Sequence, residues 1–159
     1  NWFNYRMTQF QAAILLAQLE RLDEQLRIRQ ENSEYLSKRL EEIEGVTPIK
    51  VDKRLTKHQP WPYAFKYDSG SFRGAPLERF VEALRAEGIP CGRPHQPLHL
   101  TLVPSPPDRV KKRKKYPVAE RAYFEEAVTL PQWLFLGTRE DMDDVVEAIA
   151  KIQRHADEL

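Results

Sequence analysis

From Thr8 onward, Ile14, Ala17, Leu22, Leu26 and Ile28 recur at helical spacing and lead on to Tyr35, Leu36, Leu40 and Ile43. Thr8 offers an N-cap oxygen and Gly45 a stop, so the pattern predicts one helix of about 50 Å at about 1.5 Å per residue. A domain this small does not cover so long a helix, and part of it is expected to pack on something else. The period then changes to two. VTPIKVD at 46–52 and WPYAFKYD at 61–68 read as strands, joined by the loop TKHQP that carries His58, a solvated loop residue on this reading. Tyr63, Phe65 and Tyr67 alternate with smaller or polar neighbours, and with Trp61 they are expected to form the sheet core.

APLERFVEALRAEG at 75–88 predicts a short helix, with Pro76 at its first position, Leu77, Phe80, Val81 and Leu84 on one stripe, and Gly88 closing it. The stretch from Pro90 to Pro107 holds too many prolines for regular structure. KKRKK at 111–115 follows, then a helix from about Val118 to Val128. The apolar TLPQWLFLG comes next, with Trp133 expected in the core or at a substrate entrance. A last helix is expected near 140–155, its first turn loaded with Asp141, Asp143 and Asp144 against the helix dipole. Together these elements predict an α+β chain, 1–159 as one unit, in which a long first helix and shorter helices cover a small, mostly antiparallel sheet.

Composition narrows the partners. AAILLA at 12–17 is the longest apolar run, far short of the roughly 20 residues a membrane span needs. Its 25 basic and 24 acidic residues nearly cancel, so no global field favours nucleic acid or an acidic membrane, and KKRKK reads as a solvated loop or a rim that attracts a phosphorylated substrate. A lone cysteine, Cys91, excludes an internal disulfide, fits a cytoplasmic protein and reads as structural. His95 and His99 have metal-ligand spacing for a helix, but Pro97 between them breaks any helix, so no metal site is expected.

NYRMTQFQAAILLAQLERLDE, FRGAPLERFVEALRAEGIPCGRPHQPLH and LGTREDMDDVVEAIAKI, in this order, resemble the C-terminal part of the DegT/DnrJ/StrS family of sugar and cyclitol aminotransferases. The resemblance implies the small C-terminal domain of a fold-type I transferase, with residues 1–45 linking it to a cofactor domain and 46–159 forming an α+β unit. It implies pyridoxal 5′-phosphate as cofactor, a keto-sugar or keto-cyclitol as substrate, glutamate or glutamine as amino donor, and a homodimer. Asn4 and Arg6 are then expected to reach the partner subunit's cofactor: Asn4 as a ligand of its phosphate, Arg6 there or on the donor's carboxylate. His99 matches the histidine of the family's proline-leucine-histidine element and is expected to hydrogen-bond a substrate hydroxyl, with Arg93 and His95 beside it at the substrate mouth. A partly buried loop histidine is the plainer reading of His99. In the family, the lysine that binds the cofactor lies upstream of residue 1, and no lysine here stands in that context. The chain alone is therefore expected to be inactive, and a non-catalytic interaction module that keeps the family sequence is the alternative.

Overall fold

The computed structural model describes residues 5–52, 54, 55, 61–100 and 115–159. Helix α1 spans Gln9–Leu40 and begins where expected: Thr8 Oγ1 accepts from the Gln11 amide at 3.3 Å while Gln11 Oε1 accepts from the Thr8 amide at 2.9 Å. It ends at Leu40, short of Gly45. Gly45 serves the next turn instead. Its φ of +82° lies in the left-handed region, and a Cβ there would collide with the Ser71 side chain, so glycine is required where the chain turns into the sheet.

Strands β1 (Val46–Pro48), β2 (Tyr63–Tyr67) and β3 (Ala127–Leu130) form one antiparallel sheet in the order β1-β2-β3. Residues directly opposite one another share a face. The register pairs Val46 with Tyr67, Pro48 with Phe65, Phe65 with Val128 and Tyr63 with Leu130, so these seven side chains form one buried face. β1 is shorter than the expected 46–52: after one further bond from the Ile49 amide to the Ala64 carbonyl, the chain leaves the edge and Lys50 and Asp52 face solvent.

Helix α2 (Leu77–Ala86) buries the predicted stripe Leu77, Phe80, Val81 and Leu84. Pro76 is its N-cap and not its first helical residue, because a ψ of 147° keeps it extended. Gly88, at φ +88°, follows the last turn, and Ile89 closes it by donating to the Leu84 carbonyl at 3.1 Å. The helix expected over 118–128 is only α3 (Pro117–Arg121) plus a π-helical turn over Ala122–Glu126. Ala127 and Val128 belong to β3, where Val128 fills the sheet core opposite Phe65.

Helix α4 (Arg139–Arg154) buries Met142, Val145, Val146, Ile149 and Ile152 and is capped by Thr138, whose hydroxyl accepts from the Asp141 amide. Asp141 and Glu140 occupy its first turn; Asp143 does something else. Asp143 accepts from Tyr35 at 2.8 Å and from Arg39 at 2.8 Å, tying α4 to α1, while Asp144 is exposed. Aromatic rings fill the space between sheet and helices, with Tyr67 stacked on Phe80 at 4.4 Å and Tyr63 against Phe135 at 4.9 Å. Helices cover a three-stranded antiparallel sheet, and the class is α+β. Among the described residues no helix is long and apolar enough to cross a membrane.

Two tryptophans correct the expected core. Trp61 is 78% exposed, because the ladder begins only at Tyr63 and Trp61 stands before it, joined to Pro62 by a cis peptide. Trp133 is 60% exposed on the 3-10 turn Gln132–Leu136, where Phe135 takes the buried place.

Candidate functional site: a groove beside β3 and a histidine-carboxylate pair

The loop after α2 is pinned to the sheet by a short antiparallel bridge. Gly92 donates to the Thr129 carbonyl at 2.9 Å, Thr129 returns a bond at 2.8 Å, and its hydroxyl donates to Gly92 O at 3.1 Å. Arg85 adds a second pin by donating from Nε to the Cys91 carbonyl at 2.9 Å. A Cβ at Gly92 would lie 3.4 Å from an Arg85 amino nitrogen, so the Arg85 guanidinium passes close by this bridge. Cys91 packs beneath it with Sγ 3.6 Å from the Val81 carbonyl. Burial pushes its thiol up to about 11 against the opposing pull of Arg85, leaving a protonated, unreactive group that suits the structural role expected of it.

This clasp walls a groove of about 770 Å³ whose lining includes Trp61, Arg85, Arg93, His95, Thr129 and Trp133. Two exposed indoles and three basic side chains face it, with no carboxylate among its described lining residues. It suits a polar ring compound, which indole faces and cationic donors hold well. Arg93 pairs with Glu78 at 3.3 Å, and its guanidinium carbon lies over the Tyr123 ring at 5.9 Å from the centroid. Trp133, exposed and not in the core, stands on the wall of this groove.

Of the three residues expected at a substrate mouth, Arg93 and His95 line this groove and His99 does not. His99 is instead 16% exposed, with Nε2 at 2.8 Å from Glu120 Oε1 and its ring 4.8 Å from that of Tyr116. Glu120 also accepts from the Tyr116 amide at 3.0 Å. These bonds, the Tyr116 amide first and His99 second, hold the Glu120 carboxyl below the usual carboxylate range. Nothing local in the sequence marks the pair, since its members stand 21 positions apart in different elements. Trp61 and Arg85 likewise carry no motif and enter the site only through the fold.

Asn4 lies outside the described residues, as do His58 and all of KKRKK except Lys115. Arg6 lines a shallow, open concavity of about 570 Å³ with Tyr5, Met7, Gln11, Ile14 and Leu15, just ahead of the capped start of α1. A guanidinium on an open face fits one contact to a phosphate or carboxylate brought by another surface, not an enclosing cradle. Among the described residues no three His, Cys, Asp or Glu side chains gather as a metal ion requires.

Residues 2–150 match the model of the DegT/DnrJ/EryC1/StrS aminotransferase family. The chain belongs to this family. It is 35% identical to the L-glutamine:2-deoxy-scyllo-inosose aminotransferase of Streptomyces fradiae, over 98% of this chain and 40% of that protein. The enzyme of the same name from Streptoalloteichus tenebrarius is 33% identical, again over 98% of this chain and 40% of that protein. The chain thus spans about two fifths of the length of these curated relatives. Among solved structures, 3-amino-5-hydroxybenzoic acid synthase superposes with a TM-score of 0.74 at 24% identity, over 96% of this chain and 40% of that one, a likeness of fold.

Proposed function

We propose that this chain is the C-terminal part of a pyridoxal-phosphate-dependent aminotransferase that passes an amino group from glutamine or glutamate to a keto-cyclitol or keto-sugar. The observation that carries the reading is the family match over residues 2–150, joined to relatives named as L-glutamine:cyclitol aminotransferases. In this reading residues 1–45 link to a cofactor domain and 46–159 form the small domain beside the substrate. Pyridoxal phosphate, when bound, supplies the electron sink that carries the amino group. The chain's own residues bind and orient. Asn4 and Arg6 contact the cofactor phosphate of a partner subunit in a homodimer, Arg93 and His95 donate to substrate oxygens in the groove, and His99 reads a substrate hydroxyl. Trp61 and Trp133 keep water from the substrate ring.

The full-length protein, given the cofactor, L-glutamine and 2-deoxy-scyllo-inosose, is expected to yield the aminocyclitol by mass spectrometry; this chain alone is expected to yield none. His95→Ala and Arg93→Ala should each raise KM by about 2- to 150-fold, the range for losing one hydrogen bond from a neutral or charged donor. The alternative, a non-catalytic interaction module, draws on the exposed apolar residues of the first half of α1. Absence of transfer from glutamine or glutamate to any keto-cyclitol or keto-sugar would decide for it.

A further inference from the structure

Glu120 is the group that the proposed chemistry leaves unexplained. Its Oε1 accepts from the Tyr116 amide at 3.0 Å and lies within hydrogen-bond distance of His99 Nε2, at 2.8 Å. An ionised carboxylate has no proton to give, so the hydrogen in the second bond belongs to the imidazole. Nε2 is therefore the protonated nitrogen. In a neutral ring the other nitrogen, Nδ1, then keeps its lone pair and acts as an acceptor. The ring is also confined: it is mostly buried, and Tyr116 lies against it at 4.8 Å with the planes tilted by 53°. Turning the imidazole over would put a carbon where Nε2 stands and break the bond to Glu120.

We propose that Glu120 is a positioning residue for His99, fixing its Nε2–H tautomer so that Nδ1 accepts a hydrogen bond from a substrate hydroxyl. The tautomer rests on the geometry of the pair, on an ionised Glu120 and on a neutral ring; the hydroxyl rests on the reading of His99 as a substrate contact. The consequence is a polarity of recognition. His99 takes a proton-bearing oxygen and gains nothing from a carbonyl at that position, so it distinguishes a hydroxylated ring carbon from a keto or deoxy one.

The test is made on the full-length protein with ¹⁵N-labelled histidine at neutral pH. A long-range ¹H–¹⁵N spectrum should show His99 protonated at Nε2 and bare at Nδ1, with an Nε2–H resonance slowed in exchange that disappears in Glu120→Ala. Glu120→Gln, which keeps an acceptor for both donors, should retain it and serves as the variant if the alanine form loses local structure. In the transfer assay Glu120→Ala is expected to raise KM about 3- to 10-fold with a smaller change in kcat. Adding Glu120→Ala to His99→Ala should cost nothing more, because Glu120 acts through His99; a merely structural role would add its own loss. A His99 ring protonated at Nδ1, alone or together with Nε2, overturns the inference and leaves the aminotransferase reading standing. A wild-type protein that transfers no amino group overturns the substrate half, while the spectrum still decides the tautomer.

Discussion

The two halves of α1 are one continuous helix with opposite surroundings. From Asn32 to Leu40 it buries Asn32, Ser33, Leu36 and Leu40, and it ties itself to α4 through Tyr35, Arg39 and Asp143. Toward its start it exposes Phe10, Ile14, Leu15, Leu16, Leu19 and Leu22, with Leu16 at 64% and Leu19 at 60%. Ile14, Leu15 and Leu16 are consecutive, so they span about 200° of the helix circumference at about 100° per residue. A helix that is apolar over more than one face is built to be covered from more than one side. The same element thus belongs to this fold at one end and offers itself to other surfaces at the other. Both halves are regular α-helix, and what separates them is tertiary contact.

The sharpest way to break this contrast is to truncate matched leucines. Leu36→Ala should destabilise the fold by about 2–5 kcal/mol, since Leu36 is fully buried, whereas Leu19→Ala should stay within about 0.5 kcal/mol. Urea denaturation of the two variants measures both, and equal losses would mean that the first half is buried in this chain after all. Next in size is Asn32→Ala. The Asn32 amide donates to the Phe135 carbonyl at 3.1 Å and to the Gly137 carbonyl at 2.9 Å, so its removal strands two acceptors at the α1 contact and should cost about 1–3 kcal/mol in the same experiment.

Replacing Leu16 and Leu19 together by Gln tests the exposed half directly. Stability should move by no more than about 0.5 kcal/mol per site, while the self-association expected of the exposed apolar face falls, read by sedimentation velocity across a concentration series. Unchanged association would remove the apolar face as its cause.

Where local chemistry decided the outcome, the sequence was legible. Thr8 and the stripe Leu77, Phe80, Val81 and Leu84 stand where their patterns placed them, because a cap and an amphipathic period need only neighbours within a turn or two. Where distant contacts decided, it was not. Val128 reads as helix from its flanks but pairs with Phe65, and Asp143 reads as a dipole partner but answers Arg39, 104 positions away. The period-two pattern puts Trp61 in the core because it does not say where the ladder begins, which is at Tyr63. The site divides in the same way: the loop motif placed Arg93 and His95 near each other, and only the fold joined His99 to Glu120. Asn4, which rests on the family resemblance, lies outside the described residues.

The smallest expected effect compares the two capping boxes. At α1 the reciprocal partner of Thr8 is Gln11, which does not titrate; at α4 the partner of Thr138 is Asp141, whose carboxylate accepts from the Thr138 amide at 2.6 Å and its hydroxyl at 2.9 Å. Those two bonds, the amide first, hold the Asp141 carboxyl below the ordinary aspartate value. A carboxyl depressed in the folded state contributes its full share above the unfolded pKa and loses it as pH falls through the folded one. Acid should therefore loosen the first turn of α4 and leave the start of α1 unchanged. Hydrogen exchange, corrected for the intrinsic pH dependence, should show protection falling at amides 139–142 below about pH 4 and constant at 9–12. Asp141→Asn should remove the pH dependence at α4, since an amide fills the same position without titrating. Equal loosening of both helix starts in acid would trace the change to global unfolding and not to this cap.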